Sequence, residues 1–450
     1  MMKTAYKKSI SPIKLLPLGY LTVILVGTLL LSLPVAVHGE RLTFFEAIFT
    51  ATSASCVTGL VLVDTGTKFT FFGQLVLLIL IQLGGLGFMV AATALFMAIK
   101  RRISLHERMT LAESMGEDKL QGVVNLAGTA FKMAFTIESV GALLFAIRFI
   151  PDFGFLKGAW YSIFHSVSAF CNAGFDLMGD YSSLTAYAQS PIVNITAMML
   201  ILLGGFGFAV LLDLMEKPKQ KRIHFRLHTK IVLFMNVVLL VLGAVVFFVL
   251  EYGNPKTMGE MSVAQKVLAS FFQSTTCRTA GFNTVDQNLL TDASKLMSVI
   301  LMFIGGAPAG TAGGIKVTTV AVILIAVRSF IRGARDNECF KRRISPSAVR
   351  RAIAVFVIGF MVLVTSVMLV SVAEQQGTHT FLNQLYEVAS ALGTVGLSVG
   401  VTAQATTVTQ VILCILMYTG RVGILTLALA LGGKEAKSDI RYPEEDIMVG

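Results

Sequence analysis

Four glycines, Gly59, Gly174, Gly281 and Gly396, stand 115, 107 and 115 residues apart and share their surroundings. Ten residues before each is an aromatic (Phe49, Phe164, Phe271, Tyr386), and six before is a hydroxyl (Ser53, Ser168, Thr275, Ser390). One after is apolar (Leu60, Phe175, Phe282, Leu397), and the four units align without gaps. The stretches ending on these glycines are Val57-Thr58-Gly59, Asn172-Ala173-Gly174, Thr279-Ala280-Gly281 and Thr394-Val395-Gly396. None carries a carboxylate or a histidine, so a cation held there is held mainly by main-chain carbonyls, which can replace the hydration shell of K⁺. Glycine adopts backbone dihedrals that a side chain forbids and lets the carbonyls turn toward a common axis. The carboxylate cage that divalent cations favour is missing.

The elements that position these stretches follow from helix geometry. Each stretch is preceded by a short, half-polar segment: 42–54, 158–170, 263–275 and 379–391. A helix of that length descends only about 18 Å, so the chain must turn back inside a bilayer. Each such segment reads as a re-entrant hairpin whose partly negative C-terminal end points toward the bound cation. Around the hairpins lie eight apolar runs long enough to cross a ~30 Å hydrocarbon core: 15–37, 74–99, 131–150, 191–214, 229–250, 295–328, 351–373 and 406–431. The first run is too long for a cleaved signal and reads as a retained span.

Composition agrees with a membrane chain. Of the 450 residues 55% are hydrophobic and 14% charged, with mean hydropathy +0.75, where soluble proteins carry about 25% charge. The net charge of +11 does not mark a nucleic-acid-binding module, because 27 of the 37 Lys and Arg fall in the termini and in segments 100–132, 217–230 and 328–351. Eight fall on the opposite side, so the positive-inside rule places both termini in the cytoplasm and the hairpins outside. The five cysteines have no metal-ligand spacing. No nucleophile or carboxylate constellation supports an enzyme, and no organic cofactor is indicated. The expected fold is an all-α polytopic membrane protein, with eight transmembrane helices in four pseudo-fourfold helix–P-loop–helix repeats around one central pore. The repeats span 1–100, 101–216, 217–332 and 333–433, followed by a cytoplasmic tail, 434–450.

The run 295–328 has 34 residues, about 51 Å as one helix, and must be interrupted. Gly305-Gly306-Ala307-Pro308-Ala309-Gly310-Thr311-Ala312-Gly313-Gly314 supplies the break, and ten consecutive small residues point to a loop beneath the filter rather than a kink. Gly84 and Gly204, in the second runs of the first two repeats, fit close helix packing. Lys316 and Arg421 are the cations left within spans. Lys316 fits either a restraint on the loop or a side chain snorkelling to the inner interface. Arg421, at a position that is Gly85, Gly205 or Gly306 in the other repeats, fits either a projection into the cavity below the filter or an ion pair with Glu138.

Thr58-Gly59, Asn172-Ala173-Gly174-Phe175, Arg278-Thr279-Ala280-Gly281-Phe282 and Gly393-Thr394-Val395-Gly396-Leu397, with the spans around them, resemble the Ktr/Trk/HKT superfamily of potassium transporters. The resemblance covers essentially the whole chain and is nearest the membrane subunit of bacterial Ktr systems, including Ile440-Arg441-Tyr442-Pro443 and Gly450. It implies K⁺ uptake across the bacterial plasma membrane, often favoured by Na⁺, with K⁺ at the twelve filter residues. It also implies a membrane homodimer on a cytoplasmic ring of nucleotide-binding regulatory subunits, a gating role for 305–314, and a bracing role for Arg278 behind the filter. Glycine at position 59 is similar to K⁺-selective members; Cys56 and Cys171 beside the filter are a departure. An alternating-access secondary transporter with strict Na⁺ or H⁺ coupling is the alternative, disfavoured because the four units run in the same direction.

Overall fold

The computed structural model describes residues 12–98, 103–114, 121–216, 225–375, 377, 379–424, 426, 427 and 445. The N-terminal eleven residues, parts of the basic loops (99–102, 115–120 and 217–224) and all of the tail 434–450 except Glu445 lie outside the described residues.

The chain opens with α1 (Pro12–Leu31), α2 (Phe44–Ser55), α3 (Thr65–Lys68), α4 (Phe71–Leu86) and α5 (Phe88–Ala98). Past α6 (Leu105–Ser114) a similar order follows in α7 (Val123–Phe153), α8 (Phe155–Phe170), α9 (Pro191–Gly205) and α10 (Phe208–Glu216). Next come α11 (Leu227–Glu251), α12 (Val263–Thr276), α13 (Asp292–Phe303) and α14 (Val317–Ile331). A small antiparallel hairpin pairs β1 (Glu338–Cys339) with β2 (Arg342–Arg343), Glu338 opposite Arg343. The described helices close with α15 (Pro346–Ala373), α16 (Phe381–Gly393), α17 (Val401–Gln404) and α18 (Thr407–Val422).

Among the described residues, Lys14–Leu31 and the helices α7, α11 and α15 are long and apolar enough to cross a membrane. Val237, Val241, Leu242 and Val245 of α11 are exposed, an outward apolar face that hydrocarbon solvates and water does not. The second apolar run of each quarter is shorter than expected because it is broken. The run expected at 74–99 splits into α4 and α5 at Gly87 (φ +80°), and 191–214 splits at Gly207 (φ +83°) with a bend of 101° between its halves. In 406–431, α18 stops at Gly423 (φ +94°). Only the interruption of 295–328 was expected; there 304–316 is irregular and Gly314 has φ +65°. The physical reason is common to three of the four. A glycine in the left-handed region ends a helix without a steric penalty, and Gly87, Gly207 and Gly423 each stand three residues after Gly84, Gly204 and Gly420. The third run differs, α13 being capped at Ile304 (φ −95°), ten residues before Gly314.

The short helices start where side chains can cap them. Thr43 with Glu46 and Ser262 with Gln265 form reciprocal capping boxes, and Thr380 accepts from Asn383 N. Their aromatic anchors Phe49, Phe164, Phe272 and Tyr386 are wholly buried. In the third quarter the anchor is thus Phe272, not the expected Phe271, which is only half-buried. The hydroxyl likewise shifts. Ser53, Ser168 and Ser390 carbonyls accept from N–H groups five residues on (Thr58, Ala173, Val395), whereas Thr276 accepts from Ala280, four residues on. Thr275 instead bonds back to Phe271 O within its helix. The gap-free alignment therefore fails here by one residue: the holding hydroxyl, Thr276, stands five residues before Gly281, where Ser53, Ser168 and Ser390 stand six before their glycines.

Candidate ion-coordination site

The residue two positions before each glycine has left-handed φ: Val57 (+56°), Asn172 (+58°), Thr279 (+69°) and Thr394 (+51°). Such a conformation is uncommon for non-glycine residues and an outlier for β-branched ones, so its recurrence at four matched positions marks an imposed geometry. The glycines themselves are at +98°, +70°, +80° and +90°. These segments meet in a closed circuit. A methyl group built on Gly59 would lie 2.5 Å from Ala173 O, one on Gly174 2.9 Å from Ala280 O, one on Gly281 2.6 Å from Val395 O, and one on Gly396 2.0 Å from Thr58 O. The four segments expected at the filter meet, and the carbonyl oxygens of Thr58, Ala173, Ala280 and Val395 lie beside the glycine of a neighbouring segment.

The short helices hold these segments from behind. Gly59 N donates to Ser53 Oγ (3.0 Å), Gly396 N to Ser390 Oγ (3.1 Å), Ser168 Oγ to Phe175 O (2.7 Å) and Thr276 Oγ1 to Phe282 O. The Asn172 amide meets Thr279 Oγ1 at 3.3 Å, and the hydroxyls of Thr58 and Thr394 are buried without a partner among the described residues. The ring's chemistry is wholly neutral oxygen, suited to a monovalent cation that sheds its water. On one side the ring opens to a cavity of about 1,020 Å³ lined by the four glycines and by Asp176, Asp180, Lys256 and Asp286. There burial pushes the Asp176 carboxyl up to about 7, helped by the charge of Asp64 and opposed by the bond from Met178 N (3.0 Å).

Three of the second-run glycines let these helices close on the ring. A methyl on Gly84 would meet Ser55 O at 2.1 Å, one on Gly204 Phe170 O at 1.9 Å, and one on Gly420 Leu392 O at 2.1 Å. The close packing expected of Gly84 and Gly204 is therefore literal contact with the ends of α2 and α8. In the third quarter Gly305 faces Gly313 O instead, because the chain folds back on itself: Gly305 N donates to Ile315 O (2.8 Å) and Val317 N to Gly306 O (3.0 Å).

That loop, 305–314, lies against the broken second run of the second quarter. Ala307 N donates to Gly205 O (2.9 Å), Thr311 N to Gly204 O (3.2 Å) and Phe208 N to Ala309 O (3.0 Å). The carbonyls left open where α9 ends thus find donors in the loop, as buried helix ends require. Thr311 Oγ1 also donates to Phe170 O at the end of α8 (3.1 Å), a role the sequence did not disclose. At the other end of the loop a methyl on Gly313 would sit 2.0 Å from Thr394 Oγ1, so the loop touches the ring.

Arg421 does not pair with Glu138. Its guanidinium donates to Thr311 O in the loop, to Gly84 O and Gly85 O (2.9 Å for Gly85) at the end of α4, and to Tyr20 Oη (3.3 Å). Carbonyl dipoles at a helix C-terminus stabilise a cation without a counter-charge. Glu138 instead accepts from Gln82 Nε2 (3.0 and 3.1 Å). Lys316 turns back to Ala312 O (2.7 Å) and, with Arg421 and Pro308, lines a cavity of about 270 Å³. Arg278 is buried but reaches Asn236 O on α11 (3.5 Å) rather than the ring, so the expected brace is not formed. Two acids that sequence reasoning passed over tie helix ends together. Glu251 Oε1 accepts from Thr291 N (2.9 Å) and Oγ1 (2.8 Å), and Glu374 Oε1 from Thr406 N and Oγ1 (both 2.8 Å). A Glu closing a long apolar helix, with a capping Thr ahead of the next apolar run, was the available signal.

A family model described as TrkH, cation transport protein, matches residues 20–437. The chain is 39% identical over 440 residues to Ktr system potassium uptake protein B of Bacillus subtilis, covering 98% of this chain and 97% of that one. It is 38% identical over 453 residues to potassium/sodium uptake protein NtpJ of Enterococcus hirae, covering 100% and 99%. Its fold is similar to the crystal structure of the potassium transporter TrkH from Vibrio parahaemolyticus, with TM-score 0.76 and 18% identity over 96% of this chain and 87% of that one. The full-length matches establish that the chain belongs to the TrkH family of cation transport proteins, a family of transporters.

Proposed function

We propose that the chain is the ion-translocating subunit of a potassium uptake system, passing K⁺ in single file through the ring of Gly59, Gly174, Gly281 and Gly396. The observation that carries this reading is the ring itself: four segments of matched left-handed geometry, carbonyl oxygens at their junctions, and no charged side chain among the twelve residues. The names of the relatives in Bacillus subtilis and Enterococcus hirae support K⁺ as substrate and bring in Na⁺ as a companion ion.

In this reading the four quarters are helix–hairpin–helix repeats around one passage, with eight membrane segments, the second of each repeat being a broken helix. The 1,020 Å³ cavity is the outer mouth and the 270 Å³ cavity lies inside. The excess of Lys and Arg in the inter-repeat loops supports cytoplasmic termini in the plasma membrane. Loop 305–314 and Arg421 close the inner side. A cytoplasmic nucleotide-binding ring, docked on a homodimer, releases the loop by favouring its displaced arrangement, which requires differential affinity for the two states.

Growth rescue of a K⁺-uptake-deficient bacterium at low K⁺, with and without Na⁺ and with a supplied regulatory subunit, tests the reading. The intact chain should rescue, and Gly396→Ala should not, since its methyl enters the Thr58 carbonyl. Absence of rescue by inserted wild-type protein would refute it.

A further inference from the structure

The short helices hold the ring segments at two heights, and the outer hold is strongly unequal. The inner hold comes from Ser53, Ser168, Thr276 and Ser390; the residue three positions earlier, one turn back on the same helix face, is Thr50, His165, Gln273 or Glu387. Among the described residues, Thr50 Oγ1 is buried without a partner. His165 Nε2 takes one N–H, from Leu177 (3.3 Å), and Gln273 Nε2 donates to Gln287 Oε1 (2.6 Å).

Glu387 is different in kind. Its Oε1 accepts from Ser398 Oγ (2.5 Å), Val399 N (3.0 Å) and Val401 N (3.1 Å), and its Oε2 from Thr402 Oγ1 (2.7 Å). The carboxylate is 1% exposed, and the chain just beyond Gly396 wraps around it. A buried carboxylate persists only when its lone pairs are filled, and here four donors converge from five consecutive residues. One helix face thus fixes the fourth segment both at Gly396, through Ser390, and immediately outside it, through Glu387.

We infer that Glu387 is a specificity-determining positioning residue: by clamping residues 398–402 it holds Gly396 rigid, making the fourth segment the fixed wall against which the ring's size is set. This rests on the reading of the glycine ring as the path of K⁺. Discrimination between K⁺ and Na⁺ by carbonyl oxygens depends on where those oxygens are held, so a loosened wall admits the smaller ion.

Competitive Rb⁺ and Na⁺ uptake into proteoliposomes containing the full chain tests this. Glu387→Gln keeps the shape but turns acceptors into an amide, and should lower the Rb⁺/Na⁺ uptake ratio roughly tenfold, the effect of weakening hydrogen bonds to a charged group. Ser398→Ala with Thr402→Val removes two donors and leaves the carboxylate in place; the ratio should fall in the same direction, by less. Folded Glu387→Gln protein with an unchanged ratio overturns the inference. So does a fall in Glu387→Gln alone, which would assign the effect to charge rather than position. If Glu387→Gln does not fold, the paired donor variant decides by the same criterion. A wild-type chain with no preference for Rb⁺ over Na⁺ would instead remove the functional reading, and this inference with it.

Discussion

Replacing Arg421 with Met keeps the apolar stem and removes the guanidinium. Of its four contacts, those with Gly84, Gly85 and Tyr20 anchor the side chain to α4 and α1, and only the bond to Thr311 O reaches loop 305–314. A hydrogen bond from a charged donor contributes about 1.5–3 kcal/mol, and every 1.4 kcal/mol is tenfold in an equilibrium. The ratio of displaced to seated loop should therefore rise roughly 10- to 100-fold. The loop remains held by its bonds to Gly204, Gly205 and Phe170, so the variant leaks rather than opening fully. Rb⁺ uptake into proteoliposomes, with no regulatory subunit present, reads the change directly. Arg421→Lys should fall between, because a point-like ammonium cannot span both the loop and the end of α4. Uptake by Arg421→Met equal to or below wild type, with monodisperse protein of unchanged melting temperature, would refute the latch.

The loop's second tie gives a smaller effect of the same sign: Thr311→Val loses the bond to Phe170 O, and basal Rb⁺ uptake should rise about 2- to 10-fold, as expected for a neutral hydrogen bond. Gly59→Ala forces a methyl to 2.5 Å from Ala173 O at φ +98°; K⁺ uptake should drop at least about tenfold, measured as initial rate in energised cells. Asp176 supplies the pH dependence. Its carboxyl, ordinarily 3.8, is raised to about 7 by burial, so acidifying the outside from pH 8 to 6 should neutralise it and reduce K⁺ entry, with the effect absent in Asp176→Asn. The stability linkage has the opposite sense. A raised carboxyl favours the fold when protonated, so its contribution is fully present below about 4 and lost as pH rises through about 7; thermal melts of wild type and Asp176→Asn should converge below about pH 4, part as pH rises to about 7 and stay a constant interval apart above it.

The four short helices, the glycine segments that follow them and the break in the third-quarter run were legible in the chain, because each leaves a local mark. Apolar runs record the bilayer, and a glycine at fixed distance from an aromatic records a turn that few residues can make. The one-residue offset in the third quarter was not legible. Phe271 and Phe272, and Thr275 and Thr276, are adjacent and chemically alike; only packing buried Phe272 wholly and turned the hydroxyl of Thr276, rather than that of the equally buried Thr275, onto the segment. The breaks at Gly87, Gly207 and Gly423 were likewise hidden, since glycine within an apolar run reads equally as close packing or as a left-handed stop.

Amino-acid order alone determined the membrane class, the spacing of the four glycine segments and the neutral character of the oxygens they present. Tertiary structure alone decided the partners of the buried polar groups: Arg421 on the carbonyls of Thr311, Gly84 and Gly85, Glu138 on Gln82, and Glu387 on residues 398–402. The physical reason is that hydrophobicity and backbone preference act through neighbours in the chain. A buried charge must be satisfied by whatever donors or acceptors folding brings beside it, and for Arg421 and Glu138 those lay 33 to 401 residues away.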